Sequence, residues 1–271
     1  MVKDINTDDY PCTLKVSIQT EKPTKIWIKI CDAKATKTFY SKRYSNIDGE
    51  QDFYIGMPQA PYMSRLVVYK DGDSPLDNEG YEVLGVEILP LENTKTLPLS
   101  RKLHSFVRFA QEFSEEASYL EANKTGAPYY SDNGKFRIDY FDVVRSRKDG
   151  KPINTPARIS QINGRIEVSK KDFFRYSIPM RMAILLHEFC HFYVNKNPSS
   201  EVESDINGLR IYLSLGYPRI DAYNVFLNVF KNANSKEALH RFEKLDNFIK
   251  NWSYKKRSLR SMNHKRMSTR E

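Results

Sequence analysis

Apolar and polar residues alternate along much of residues 13–91, which is the pattern of half-buried β-strands. The clearest runs lie at 14–18, 26–30, 53–55, 66–69 and 81–88. Segments rich in turn-forming residues separate them, as at Asn46–Glu50 and Asp71–Gly80. Several short strands at this spacing, with no helical segment between them, predict an antiparallel β-sandwich.

After residue 98 the apolar positions take the three-to-four spacing of helices. Two strand-like runs interrupt them, at Lys135–Val144 and Gly164–Ser169. The stripes predicted to pack as core are Phe106, Phe109 and Phe113, then Leu227 and Phe230, then Leu239, Phe242, Leu245 and Phe248. The sequence therefore predicts an α+β chain with a β-sandwich over 1–97, a mainly helical domain over 98–254 and a tail over 255–271.

One apolar, helix-forming segment carries the motif His-Glu-x-x-His as His187, Glu188 and His191. Ser177 and Pro179 mark the start of this helix. At about 100° per residue, both imidazoles and the carboxylate fall on one helix face. Two His four residues apart can bind one Zn²⁺, and the intervening Glu is placed to take a proton from water. The motif alone also occurs by chance on buried helices, so its surroundings must decide.

A second helix is predicted to begin directly downstream, because Ser200 and Glu203 form a capping box. Glu201 and Asp205 are four residues apart and therefore lie on one face of that helix. We assign Glu201 as the third metal ligand. Asp205 is assigned as the acceptor that holds the free ring N–H of one metal-binding His. An acidic first turn that only complements the helix dipole is the alternative.

These residues resemble the gluzincin type of zinc peptidase. The resemblance rests on His187, Glu188, His191, Glu201 and Asp205, followed by Gly216, Tyr217 and Pro218. The metzincin pattern is excluded, because Val194 and Asn197 stand where it needs Gly and then His or Asp. The gap between His191 and Glu201 is shorter than in thermolysin-like members.

The resemblance implies a Zn²⁺ cofactor, a protein or peptide substrate and Glu188 as the general base. It also implies a strand beside the cleft that pairs with extended substrate, for which Arg165–Ser169 is the candidate. A core strand without substrate contact is an equal alternative. The donor for the oxyanion stays open among Tyr212, Tyr217, Tyr223, Arg210 and His240.

Composition places the chain among ordinary globular proteins, with 13% aromatic and 28% charged residues. No apolar run approaches the ~20 residues of a membrane span, so no membrane partner is expected. The first residues lack the apolar core of a secretory signal. Three cysteines give no even disulfide framework, which favours a reducing compartment such as the bacterial cytoplasm.

The segment 255–271 carries seven Lys or Arg against one Glu, and thus most of the formal net charge of +9. Any contact with nucleic acid is expected through this tail, although a solvated extension is the simpler interpretation. The whole chain also resembles structural ring proteins of tailed (crAss-like) bacteriophages. That resemblance implies an alternative function, as a virion protein of a tail or neck ring that binds other virion proteins. In this alternative the activity of the zincin-like domain is absent or incidental.

Overall fold

The structure is a computed structural model that describes residues 1–35, 37–74, 79–91, 100–230 and 236–252, with 228–230 through their backbone only. The predicted boundary between 97 and 98 and the basic tail lie outside these residues. The described chain is mixed α/β, with an antiparallel sheet first and a second sheet among helices afterwards. No helix in the described ranges is long and apolar enough to cross a membrane.

The N-terminal unit is a five-stranded antiparallel sheet. Its strands are β1 (Val2–Asn6), β2 (Cys12–Asp32), β3 (Thr38–Met57), β4 (Met63–Lys70) and β5 (Tyr81–Pro90). The order is β1-β4-β2-β3, and β5 pairs with the first half of β2. The predicted alternation is confirmed, because Leu14, Val16 and Ile18 are fully buried on one face. Closure of this sheet into a sandwich stays a prediction.

The two longest strands were predicted as shorter pieces separated by turns. Asn46–Glu50, predicted as a turn, instead lies within β3. Asn46 and Gly49 adopt φ of 58° and 67°, and the pairing register with β2 shifts nearby. Bulges of this kind bend a strand without ending it. The turn prediction was wrong because the same residues that favour turns also favour bulges.

The second unit contains a four-stranded sheet and six helices among its described residues. The strands are β6 (Ala127–Tyr130), β7 (Arg137–Phe141), β8 (Ala157–Ile159) and β9 (Ile166–Ser169). The helices are α1 (Arg101–Glu116), α2 (Lys170–Phe173), α3 (Ile178–Tyr193), α4 (Glu201–Ser214), α5 (Arg219–Phe230) and α6 (Lys236–Asn251). The sheet order is β6-β7-β9-β8, so β8 forms one edge. The two predicted strands are β7 and β9, whereas the short β6 and β8 were not predicted.

Helix α3 lies at the centre of this unit and is buried over most of its length. Phe189 stacks on Phe106 of α1 with ring centroids 4.2 Å apart, and the predicted α1 stripe is buried. At its other end, Ile178 belongs to the hydrophobic core of the N-terminal unit. The helix that carries the motif therefore packs against both units, which fixes its position.

Two predicted core stripes near the C-terminus were partly wrong. Leu227 is 49% exposed and Leu239 is 60% exposed. The buried apolar residues described in these helices are Ala222, Val225, Phe226, Ala238, Leu245 and Ile249. Apolar residues occur on several faces of both helices, so spacing alone did not determine which face meets the core.

Candidate metal centre

Helix α3 presents the motif residues as predicted from its sequence. The helix begins after Ser177, whose side chain accepts a hydrogen bond from the Met180 amide, and Pro179 occupies its first turn. His191 and Glu188 are buried, with 5% and 9% exposure, and His187 is nearly so. The motif therefore lies in an environment with little water, where charges interact strongly.

Helix α4 begins at the predicted cap. The Ser200 side chain accepts from the Glu203 amide at 3.2 Å. The Glu203 carboxylate accepts from the amides of Lys196 and Asn197, in the loop before the cap. The serine half of the capping box is thus confirmed, whereas the glutamate fastens the loop between α3 and α4. This arrangement places Glu201 in the first turn, facing α3.

Helices α3 and α4 meet at Gly208, a contact that was not predicted. A Cβ atom at Gly208 would lie 3.0 Å from both the Cα and the backbone nitrogen of His187. Only glycine allows the two backbones to approach this closely without a shift. The crossing brings Glu201, two turns earlier on α4, to the imidazoles of α3.

The three predicted ligand side chains converge on one point. The Nε2 atoms of His187 and His191 lie 3.1 Å apart. Glu201 Oε2 lies 3.4 Å from His187 Nε2, and its Oε1 lies 3.5 Å from His191 Nε2. One ligand atom from each residue falls within 4.8 Å of the others, which is close enough to bind a metal ion.

Both imidazoles direct Nε2 inward because Nδ1 has a partner on the other side. His191 Nδ1 donates to the Pro198 carbonyl oxygen at 2.7 Å. His187 Nδ1 lies 2.9 Å from Asp205 Oδ1, although this contact lies off the N–H direction of the ring. Asp205 thus occupies the position behind a histidine that was predicted for it. Such partners fix the tautomer and orientation of metal-binding histidines.

A cation that was not predicted completes the cluster. Arg241 of α6 contacts Asp205 through Nε at 2.8 Å and Nη2 at 3.0 Å. Its Nη2 also lies 2.9 Å from Glu201 Oε2. The one sequence signal is its place on α6, three residues after buried Ala238 and four before buried Leu245. A basic residue on a buried stripe indicates an acidic partner nearby.

The charges of the cluster follow from these contacts. Burial opposes a charged His187, but Asp205 and Glu201 more than offset this and raise its pKa to about 10. The contact with His187 lowers the pKa of Glu201 to about 2. Burial raises the pKa of Glu188, although the nearby imidazoles and the Ile159 amide favour its charged form. The cluster therefore holds an anionic Glu201 beside a more easily protonated Glu188.

The cluster forms one wall of a cavity of about 500 Å³. Strand β8 forms a second wall, and Val225, Phe226 and Ala238 of α5 and α6 line the rest. The candidate strand Arg165–Ser169 was wrong, because β9 lies inside the sheet, between β7 and β8. The resemblance alone had assigned this strand to the edge, and the three-residue β8 was too short to recognise from the sequence.

The five open candidates for an oxyanion donor all lie outside the described lining of this cavity. The Tyr212 hydroxyl donates to the Pro218 carbonyl, and the Tyr223 hydroxyl donates to Asp246. The other three are Tyr217, bonded to Gln59, Arg210, bonded to Asn207, and the exposed His240. The three tyrosines and Arg210 thus have structural contacts elsewhere.

The fold and the site define a mixed α/β protein with a His–His–Glu cluster beside a cavity, in which His191 is buried and Glu201 is 40% exposed. No protein-family model, curated protein or solved structure matches the chain.

Proposed function

We propose that this protein is a zinc-dependent peptidase with a gluzincin-type, zincin-like domain, in which Glu188 acts as general base. The observation that carries the proposal is the convergence of His187, His191 and Glu201 at the wall of a cavity, with Glu188 on the same helix face. A purely structural metal site would not need Glu188 there.

The donor set supports zinc as the metal. Two imidazoles and one carboxylate are the protein ligands of a common class of catalytic zinc site, which keeps a fourth position open. Ligand atoms ~2.0–2.2 Å from a tetrahedral zinc ion are separated by ~3.3–3.6 Å. The two Nε2 atoms lie 3.1 Å apart, His187 Nε2 lies 3.4 Å from Glu201 Oε2, and His191 Nε2 lies 3.5 Å from Glu201 Oε1. The three side chains are therefore spaced about as a zinc ion needs. When bound, zinc would polarise a carbonyl oxygen and make water more acidic.

Glu188 performs the proton transfers in this proposal. Its carboxylate takes a proton from the attacking water and passes it to the amine that leaves the broken peptide bond. Burial suits this role, since a raised carboxyl pKa lies closer to neutral pH, where a group can both accept and release a proton. Glu188 lines the same cavity as Ile159 of β8, so its carboxyl lies on the side of the cavity where the proposed substrate would bind.

The outer edge of β8 supports an extended peptide as substrate. The Pro156 carbonyl accepts from the Ser169 amide, and the Ser160 amide donates to the Arg165 carbonyl. These two hydrogen bonds, one at each end of β8, show which of its backbone groups point towards β9. Because bonded and non-bonded pairs alternate in an antiparallel ladder, Ala157 and Ile159 direct their backbone groups to the outer edge. This edge borders the cavity, so a peptide could pair with it as an added strand.

The decisive experiment measures zinc content and cleavage of a fluorogenic peptide library together. We expect one zinc per chain, and hydrolysis that falls by about 10²–10⁴-fold in Glu188→Gln while zinc is retained. Glu243→Gln, an exposed carboxylate on α6, is the matched control and should cleave as the unaltered protein does.

Zinc binding without detectable cleavage would contradict the peptidase proposal. A homo-ring or a large stable assembly in that case would favour the alternative of a virion structural protein. That alternative rests only on the resemblance of the whole chain to phage ring proteins.

A further inference from the structure

We propose that Arg241 is a positioning residue of the metal centre, orienting the Glu201 carboxylate towards the two imidazoles and fixing Asp205 behind His187. This inference rests on the metal site of the proposed function. It does not depend on whether that site hydrolyses peptides.

Four side chains form a closed ring of polar contacts. His187 contacts Asp205, Asp205 contacts Arg241, Arg241 contacts Glu201, and Glu201 returns to His187. Each side chain therefore has neighbours on two sides. Removing the Arg241 guanidinium would break the ring at both carboxylates. This one side chain therefore restrains both Glu201, a proposed ligand, and Asp205, the group behind His187.

The two oxygens of Glu201 have different surroundings. Oε2 lies 2.9 Å from Arg241 Nη2 and 3.4 Å from His187 Nε2, whereas Oε1 lies 3.5 Å from His191 Nε2. With Oε2 held by the guanidinium, the carboxylate is turned so that one oxygen faces each imidazole. We infer that Arg241 sets the orientation in which Glu201 meets a metal ion.

A positive charge beside a metal ligand would normally oppose a second cation. Here the charge of Arg241 is largely compensated by Asp205, which is 1% exposed and accepts hydrogen bonds from two N–H groups of the guanidinium. The pair is close to neutral as a unit, so its repulsion of a metal ion is small. Arg241 therefore acts mainly by orienting the carboxylates of Glu201 and Asp205.

The planar guanidinium suits this geometry better than an ammonium would. Nε and Nη2 of Arg241 meet the two oxygens of Asp205 in parallel, and Nη2 reaches Glu201 at the same time. A lysine keeps the charge but cannot reproduce this fork. Substitution by lysine thus separates orientation from charge.

The test compares Arg241→Lys and Arg241→Gln with Lys244→Gln, which removes an exposed charge one turn further along α6. Zinc affinity is measured by competition with a chromogenic chelator. We expect both Arg241 variants to bind zinc about 10-fold or more weakly, since partners behind metal ligands contribute ~10–100-fold. Lys244→Gln should stay within about twofold of the unaltered chain, because surface charges have small effects.

A second readout separates positioning from a simple structural link between α6 and α4. Thermal unfolding of the metal-free variants reports stability, and the visible spectrum of the Co²⁺-loaded protein reports coordination geometry. We expect the Co²⁺ spectrum of Arg241→Lys to change. If Arg241→Gln fails to fold, Arg241→Lys carries the test with the charge retained.

Three results would overturn the inference. Unchanged zinc affinity in Arg241→Lys would show that only charge matters, and tighter binding in Arg241→Gln would show that charge opposes the metal. Lower stability with unchanged affinity would leave Arg241 as a structural link. An unaltered chain that binds zinc without cleaving peptides refutes the peptidase proposal alone, whereas one that binds no zinc refutes both.

Discussion

The two ends of α3 bury polar groups in different ways. At its C-terminal half, His191 Nδ1 donates to the Pro198 carbonyl, His187 Nδ1 lies 2.9 Å from Asp205 outside hydrogen-bond geometry, and the nearby carboxylates are paired with Arg241. At its N-terminus, the buried carboxylate of Asp221 receives only the Ser177 hydroxyl, and its Oδ2 has no hydrogen-bond partner among the described residues.

Buried polar groups with partners are typical of a functional site, whereas a buried carboxyl with few partners is typical of a position that destabilises the fold locally. Buried charges are stable when they are paired, and a buried carboxyl without partners stays protonated instead. Burial raises the pKa of Asp221 to about 7, whereas contact with His187 lowers that of Glu201 to about 2. The comparison predicts that changes at the metal centre alter metal affinity, while changes at the helix start alter stability alone.

The largest effect is expected for Glu201→Gln. Because loss of a partner behind a ligand costs ~10–100-fold in affinity, loss of the ligand charge itself should cost at least about 100-fold. Isothermal titration with zinc measures this. Glu203→Gln, in the same helical turn, is the matched control, and it should retain affinity and lose at most about 1 kcal/mol of stability. Equal affinities in the two variants would remove Glu201 from the ligand set.

The next effect is expected for Gly208→Ala at the crossing of α3 and α4. Alanine gains about 1 kcal/mol of helix propensity over glycine. Its Cβ, however, would meet backbone atoms of His187 at 3.0 Å, and overpacking costs ~1–3 kcal/mol. We expect a net loss of up to about 2 kcal/mol in urea unfolding, together with weaker zinc binding, because Glu201 moves with α4.

A larger side chain provides the control for that interpretation. Gly208→Val should lose more stability than Gly208→Ala, because the extra methyl groups extend the same clash. A stabilised Gly208→Ala would mean that propensity alone governs the position and that the close approach is unimportant.

Much of the candidate site could be predicted because it depends on local helical geometry. The face shared by His187, Glu188 and His191 follows from residue spacing within one helix. Glu201 and Asp205 follow from a cap and a four-residue interval. The turn prediction at Asn46–Glu50 was wrong despite equally local signals, since turns and bulges use the same residues.

The remaining features depend on contacts between segments distant in sequence. Arg241 lies 36 residues after Asp205, and its place on the buried stripe of α6 indicates an acidic partner without identifying which carboxylate it is. Strand β8 is recognisable only through its pairing with β9. The need for glycine at position 208 follows only from the contact with the His187 backbone. Helical spacing predicts which residues share a face, but not which faces meet.

The smallest effect is expected for Asp221→Asn, and its dependence on pH tests the contrast between the two helix ends. The folded chain retains the Asp221 proton up to a pKa of about 7, whereas the ordinary value is 3.8. Between these values the folded state binds more protons than the unfolded state, so the free energy of unfolding falls as pH rises. Above pH 7 the full loss persists, with an upper bound of about 4 kcal/mol. Asparagine cannot ionise, so the variant should be about 1–2 kcal/mol more stable at pH 8 and no more stable at pH 4. Urea unfolding of chelator-treated protein at both pH values measures this, with Glu243→Gln as the control. An equal gain at both pH values would mean that shape rather than charge governs this position, and the contrast with the metal centre would fail.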